Sequence, residues 1–429
     1  MTFSKKTIKN IDLNGKTVLL RSDFNVPLTE KGTIRDDYRI QQAVPTIKYL
    51  QSQNCRIIVC SHLGKPDGKP DAKYSLKPVR KALSKLIGQD VEFVEDATSQ
   101  EAVEKAGELK PKHVLLLENL RFFPGEENNN MEFAKKLGAL AEVFVQDGFG
   151  VVHRKHASTD AITRVLPSVA GLLLEKEVTT ILDVINNPKR PLMAIIGGAK
   201  IVDKIDVIKN FIAMADVVVI GGAMANTFLL AKGIPIGKSL ANKEDVPLAK
   251  KLMELAAEQA KKRKFIFYLP QDSVVADSLD KHAKTRIVDW DAHAIAEIEN
   301  YPRQAPTRSG RVAADELILD IGPFSGAFVA GNMQFCDTVI WNGVLGVTET
   351  PSLHGPVGPF AHGTELILDA LMGQFGHKPY SLIGGGDTSA YVEQRGLVEG
   401  FNFVSTGGGA CLDLLAGKKL PGVEALLSK

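Results

Sequence analysis

The chain is poor in cysteine and in net charge, and each shortage argues against a class of function. Its 429 residues hold four cysteines, Cys55, Cys60, Cys336 and Cys411, and no two of them form a CxxC pair. A zinc site is therefore not expected, and the scattered thiols read as buried and reduced, as in a cytosol. Lysine and arginine exceed aspartate and glutamate by only +2. That balance gives no reason to expect a nucleic-acid partner. No apolar run approaches the roughly 20 residues of a membrane-spanning helix. The opening stretch, "MTFSKKTIKNIDLNGK", has no apolar core of signal-peptide length. The expectation is a soluble, non-secreted, cytoplasmic protein with no membrane partner. Familiar nucleotide motifs are missing too. A phosphate-binding loop needs GxxxxGK[ST], and the nearest match, at 233–239, has one residue too few between its glycines. No GxGxxG follows a predicted strand, and the protein-kinase set of motifs is absent.

What is present is alternation. At this length a single core usually stops growing, so two domains are expected. Short β-branched runs such as "KTVLLRSDFN", "CRIIVCSH", "HVLLLENL" and "AEVFVQDG" read as buried parallel strands. Amphipathic stretches lie between them, one of them starting at Ser75 as a helix N-cap and ending near Gly88. A helix is predicted over about 172–187, closed by Asn-Asn-Pro, and the alternation then restarts. The fold class that follows is α/β: two doubly wound parallel-sheet domains joined by an interdomain helix, with a ligand cleft between them. The expected divisions are 1–172, an interdomain helix at 173–189, a second domain at 190–410 and a tail at 411–429.

Four predicted strand ends in the second half are glycine-rich: Gly197-Gly198, Gly221-Gly222, Gly384-Gly385-Gly386 and Gly407-Gly408-Gly409. One such pair is an ordinary turn. Four at successive strand ends, where open α/β sheets bind ligands, point to a nucleotide or another phosphate ligand. Lys200 and Lys204 follow the first pair, four residues apart, and are predicted to share a face at a helix start. Asp387 and Thr388 follow the third, where a carboxylate suits Mg²⁺ or a helix N-cap. Glu349 follows "WNGVLGVT", where a carboxylate suits ribose hydroxyls, though alone it reads as an ordinary exposed acid.

In the first half, cations replace the glycines. Arg21, Asp23 and Asn25 follow one predicted strand, and Arg39 opens the next helix. His62 and Lys65 follow the second strand, Arg121 another, and His153, Arg154 and His156 the last. Each alone is an ordinary surface or core polar residue. Together they suit a small phosphorylated acid, with Asp23 and Asn25 reading its hydroxyl. A basic acid site in one domain and a glycine-rich nucleotide site in the other suggest phosphoryl transfer on domain closure.

These stretches resemble the phosphoglycerate kinase family nearly end to end. The resemblance is carried in order by "RSDFNVP", "SHLGKP", "LLLENLRFFPGEE", "DGFGVVHRKHAS", "IIGGAKIVDKI", "VIGGAMANTFL", "LDIGP", "VIWNGVLGV", "LIGGGDTSA" and "STGGGACLDLLAGKKLPGV". It implies a monomeric, cytosolic kinase that interconverts 1,3-bisphosphoglycerate plus ADP with 3-phosphoglycerate plus ATP, using Mg²⁺. Carried over by motif, the acid site comprises Asp23, Asn25, Arg39, His62, Leu63, Gly64, Lys65, Arg121 and Arg154. The nucleotide site comprises Lys200, Lys204, Gly222, Asn342, Glu349, Gly385, Gly386, Asp387 and Thr388, with Asp387 toward the magnesium ion. Arg39 and Lys200 are assigned the catalytic role, and the tail is expected to return to the N-terminal domain. The chain departs from the family pattern at Lys65, Gln146, Gly148, Ala223, Val344 and Thr348, and its 349–363 stretch is longer. The changes at Val344 and Thr348 motivate one other reading, a catalytically weak nucleotide- or phosphoglycerate-binding protein on the same fold. A dehydrogenase lacks the dinucleotide fingerprint.

Overall fold

The computed structural model describes residues 2–29, 31–290 and 310–429. Chain contacts divide it into two units. The first comprises Met1–Asn186, Thr406–Leu414 and Lys418–Lys429, the second Asn187–Ser405 and Leu415–Gly417.

The first unit is built on six parallel strands: β1 (Thr17–Arg21), β2 (Arg56–Cys60), β3 (Val91–Val94), β4 (Val114–Leu117), β5 (Val143–Gln146) and β6 (Ser168–Ala170). They lie in the order β3-β4-β2-β1-β5-β6. Six helices follow the alternation: α1 (Tyr38–Ser52), α2 (Lys77–Ile87), α3 (Gln100–Glu108), α4 (Pro124–Glu127), α5 (Met131–Gly138) and α6 (Leu172–Asn186). Side chains alternate across a strand, and both faces of this sheet are covered. Val18, Leu20, Ile57 and Val59 pack on one face with Ile40 and Ile47 of α1 and Val79 and Leu83 of α2. Leu19, Ile58, Leu115 and Phe144 pack on the other with Ala102 of α3 and Phe133 and Leu137 of α5. The strand segments therefore read as continuous apolar runs in the sequence. Ser75 lies one residue before the N-cap of α2, which is Leu76. Its hydroxyl still accepts from Lys77 N at 3.2 Å.

The second unit has a six-stranded parallel sheet and a smaller antiparallel one. Its strands are β7 (Leu192–Ile196), β8 (Val217–Ile220), β9 (Ile266–Tyr268), β10 (Asp272–Ala276), β11 (Thr285–Asp289), β12 (Leu317–Ile321), β13 (Thr338–Asn342), β14 (Tyr380–Gly384) and β15 (Phe403–Val404). The parallel sheet runs β15-β14-β13-β7-β8-β9, and the antiparallel one β11-β10-β12. The helices are α7 (Ile205–Met214), α8 (Gly222–Ala231), α9 (Val246–Lys262), α10 (Pro323–Met333), α11 (His362–Leu371) and α12 (Gly386–Gln394). Trp341, Met193 and Ile383 pack with Met333 of α10 and Leu368 of α11 in its core. The three antiparallel strands are additional to the parallel alternation expected from the sequence.

Both parallel sheets have a reversal of strand order at their centre, β1 beside β2 and β5 in one, β7 beside β8 and β13 in the other. Such a reversal opens a crevice at the strand carboxyl ends. The tail, with α13 (Gly408–Leu415) and α14 (Pro421–Glu424), closes the chain. Lys6 N donates to Leu427 O and Leu427 N to Ser168 O, so the last residues lie against the first strands' unit. No described helix is long and apolar enough to cross a membrane.

Candidate active site

In the first unit the segment leaving β1 sits at the reversal point. Asp23, 6 % exposed, has Arg39 Nη1 at 2.8 Å from its Oδ2. Burial pushes the Asp23 carboxyl up, but Arg39, Arg21 and the Asn25 N–H more than offset that and hold it at about 2. Asp23 is therefore an anion at any working pH, and it anchors Arg39 where α1 begins.

Arg21 lies beneath this pair, fully buried. Its Nε donates to Ser158 Oγ at 2.8 Å, and its Nη2 is 3.2 Å from His62 Nδ1. A guanidinium only donates, so His62 Nδ1 is the acceptor and the ring is neutral. Burial, reinforced by Arg21, Arg121 and Arg39 against the pull of Asp23, keeps the His62 pKa well below its usual value. Ser158 is held in turn by Glu126, whose two oxygens accept from its hydroxyl at 2.6 Å and its N–H at 3.0 Å.

The loop after β2 is fixed from three sides. Asn25 Oδ1 accepts from Gly64 N at 2.8 Å, so its oxygen positions the loop as well as facing the site. Asn119 Nδ2 donates to Leu63 O at 2.7 Å. Arg121 Nη1 donates to Gly64 O at 2.7 Å, and its Nε lies 3.1 Å from Glu127. Gly64 has φ +62°, and a Cβ there would sit 2.2 Å from the Tyr74 ring. Lys65 and Arg154 are exposed, the latter with Nε donating to His153 Nε2 at 3.2 Å.

In the second unit the glycines have two different roles. Gly197, Gly222 and Gly343 stand where loops touch. A Cβ on Gly197 would meet Val344 O at 2.0 Å, and one on Gly222, φ +64°, would meet Gly198 N at 2.5 Å. These positions close the reversal point between β7 and β13 by backbone contact. Gly386 is different: it is exposed, with open space around it at the first turn of α12. Gly385 precedes it as N-cap with φ +94°. Thr388 is buried, its Oγ1 accepting from Gly343 N at 2.6 Å, and so ties α12 to the loop after β13.

Two expectations from the sequence change. Lys200 and Lys204 do not share a helical face, because α7 starts only at Ile205. Lys204 turns inward, its Nζ at 2.8 Å from Gly197 O and 2.7 Å from Asn342 Oδ1. Lys200 is exposed beside the Gly197-Gly198 pair. The run Gly407-Gly408-Gly409 belongs to the first unit, which resumes at Thr406 and not at the expected 411. Cβ atoms on Gly407 and Gly409 would clash with Phe149 and His153, so close packing explains these glycines.

A cavity of about 240 Å³ opens in the second unit. Gly198, Gly222, Glu349 and Asp387 line it, together with Ala223 and Val344, two of the departures from the family pattern. The sequence reading did not single out Asn226, Leu240 or Asp320, which also line it. Asp320 is 2 % exposed and its two oxygens accept from Ile321 N and Gly363 N, both at 2.8 Å. Burial raises its pKa to about 8 despite those bonds. Glu126 and Ser158 are the first unit's counterparts: Arg21 was visible as a strand-end cation, but nothing in the spacing tied Glu126 and Ser158 to it.

Comparison with known proteins follows the same line. The phosphoglycerate kinase family model matches residues 8–418. A phosphoglycerate kinase of Chloroflexus aggregans is 44% identical over 425 residues, covering 99% of both chains. One of Moorella thermoacetica is 44% identical over 426 residues, covering 99% of this chain and all of its own. The solved phosphoglycerate kinase of Coxiella burnetii superposes with TM-score 0.78 at 35% identity, covering 98% of each chain. That of Pyrococcus horikoshii superposes with TM-score 0.79 at 29% identity, again over 98% of each.

Proposed function

The chain belongs to the phosphoglycerate kinase family, and on that premise we propose how its residues divide the work of the family's reaction. That reaction is reversible phosphoryl transfer between 1,3-bisphosphoglycerate and ADP, giving 3-phosphoglycerate and ATP. A terminal ADP oxygen attacks the acyl phosphorus, the bond from phosphorus to the carboxyl oxygen breaks, and the acid leaves as a carboxylate. In reverse that carboxylate is the nucleophile. Both nucleophiles are already ionised, so no general base is needed, and the task is alignment and charge stabilisation.

The observation that carries this division is the Arg39–Asp23 pair resting on Arg21 and His62 at a strand-order reversal. We assign the carboxyl end of the acid to Arg39, and its phosphate to Lys65, Arg121 and Arg154, with His62, Leu63 and Gly64 forming the wall and Asp23 and Asn25 facing the hydroxyl. The nucleotide takes the cavity of the second unit, with its phosphates toward Lys200, Gly385 and Gly386, its ribose toward Glu349, and Gly222 beneath it. Lys204, Asn342 and Thr388 hold the loops that shape this end. Arg39 and Lys200 stabilise the charge of the group in flight, which requires the two ligands to be brought together by domain closure.

A magnesium ion fits this scheme. No three described His, Cys, Asp or Glu side chains form a metal cage, and Mg²⁺ is commonly held by one carboxylate plus substrate phosphates. Asp387, exposed on the first turn of α12, supplies that carboxylate. When bound, the ion neutralises phosphate charge. The reading extends to a cytoplasmic monomer acting on small molecules alone, without nucleic acid. The test is a coupled assay of wild type with 3-phosphoglycerate and ATP, with binding of each ligand measured separately. Turnover needing both ligands and magnesium supports the assignment. Binding of both without turnover would overturn it.

A further inference from the structure

Helix α12 carries Gly386 and Asp387 on its first turn, and one carboxylate of α11 grips it further along. Glu365 Oε1 accepts from the Tyr391 phenol and from Arg395 Nε at 2.7 Å, and Glu365 Oε2 accepts from Arg395 Nη2 at 3.0 Å. A two-pronged arginine–carboxylate pair of this kind is strong and directional. Tyr391 is 5 % exposed, and burial together with Glu365 pushes its phenol pKa up, so it stays protonated and donates. Glu365 is itself held in place. The two residues before it on α11 are bonded to segments that line the cavity. Gly363 N donates to Asp320 Oδ2 at 2.8 Å, and Thr364 Oγ1 accepts from Leu345 N at 3.2 Å.

Asp387, Tyr391 and Arg395 stand four residues apart, and residues so spaced are neighbours on one helical face. Arg395 is the C-cap of α12, its N–H bonded to Tyr391 O at 3.0 Å. A grip on Tyr391 and Arg395 together resists rotation of α12 about its axis and swinging of its far end. Rotation of the helix would turn Asp387 with it. We propose that Glu365, Tyr391 and Arg395 are positioning residues, whose clamp fixes the direction in which α12 presents Asp387 to a magnesium-bound diphosphate. The proposal rests on the assignment of Asp387 to magnesium. None of the three lines the cavity itself, so they act only through the helix. Groups that orient a metal ligand tune the metal's affinity without touching it. A loosened clamp therefore weakens the metal-dependent part of diphosphate binding and spares the rest.

The test is calorimetric binding of ADP, with magnesium and with the metal chelated, to the full-length chain and to Tyr391→Phe. This variant removes one donor and leaves Arg395 to satisfy Glu365. ADP with magnesium is expected to bind about tenfold more weakly, while metal-free ADP binds as to wild type. Arg395→Lys, which keeps the charge but breaks the fork, should do the same and serves if the first variant fails to fold. Leu252→Ala, a core change on α9, lowers stability without touching the clamp and should keep the magnesium effect. Asp387→Ala separates the two claims, since it should lose that effect. If it does, and both clamp variants bind ADP as wild type does in either condition, the proposal is overturned. Equal weakening with and without metal, or loss of the magnesium effect in Leu252→Ala, also overturns it, because the clamp then only stabilises the fold. If Asp387→Ala keeps the magnesium effect, the placement of the metal fails and the proposal with it.

Discussion

Arg39 Nη1 stands 2.8 Å from Asp23 Oδ2, an ion pair in which the carboxylate is almost wholly buried and the guanidinium keeps one side open. The open side is the part free for a substrate. The buried side fixes its direction. Arg39 is thus held by a partner that stays charged, since Asp23 lies at about 2.

That shift carries a pH prediction. A carboxyl whose folded pKa lies below its unfolded value adds stability that is full above about pH 4 and is lost as pH falls through about 2. Asp23→Asn removes the contribution. The difference in unfolding free energy, from urea titrations of wild type and Asp23→Asn, should be about 2 kcal/mol near neutrality and shrink as pH falls from about 4 to 2. A gap that stays constant across that range would contradict the assignment.

His62 gives the opposite sign. Its folded pKa is pushed well below the usual histidine value by burial. The unfolded chain takes up this proton near pH 6.5 and the folded chain does not, so stability from this group falls as pH drops below about 6.5. His62 should stay neutral from pH 6 to 8, leaving no His62 titration in the KM for 3-phosphoglycerate. An imidazole resonance of His62 titrating near 6.5 in the folded protein would refute it.

Lys65 stands where the family pattern has arginine, and it is exposed. An ammonium meets a phosphate as a point charge, whereas a guanidinium meets it with two parallel bonds. Lys65→Arg should lower the KM for 3-phosphoglycerate severalfold and leave kcat unchanged. A higher or unchanged KM in a folded variant removes Lys65 from the phosphate site.

Thr388 Oγ1 accepts the hydrogen bond from the Gly343 N–H. Thr388→Val keeps the shape but orphans that buried donor, at a cost of about 1–3 kcal/mol. The loop after β13 should loosen, and the nucleotide KM should rise more than the KM for the acid. Equal effects on both would show a global loss instead.

Much of this was legible in the sequence for a physical reason. Sheets covered on both faces need unbroken apolar strands, so "TVLLR", "RIIVC" and "LMAII" stood out, and chemistry gathers at their carboxyl ends. Arg39, His62 and Asp387 were proposed that way. Less legible was whatever depends on packing between distant segments. A bare glycine looks the same whether it borders open space, as at Gly386, or makes room for Phe149, as at Gly407. The inward turn of Lys204 depends on Gly197 O and on Asn342, far along the chain. The antiparallel strands β10–β12 and the Glu126–Ser158–Arg21 support also arise from such pairings, which periodicity does not reveal.

The most direct test of the account is steady-state turnover of Lys200→Ala beside wild type, with Mg-ATP and 3-phosphoglycerate and with nucleotide binding measured in parallel. Lys200 is exposed beside Gly197-Gly198, so its removal should leave the fold intact. The account predicts that kcat falls by about 10²–10³ while ATP still binds within a few-fold of wild type, as for loss of a group that acts on transition-state charge. A folded Lys200→Ala enzyme that turns over within a few-fold of wild type would contradict it.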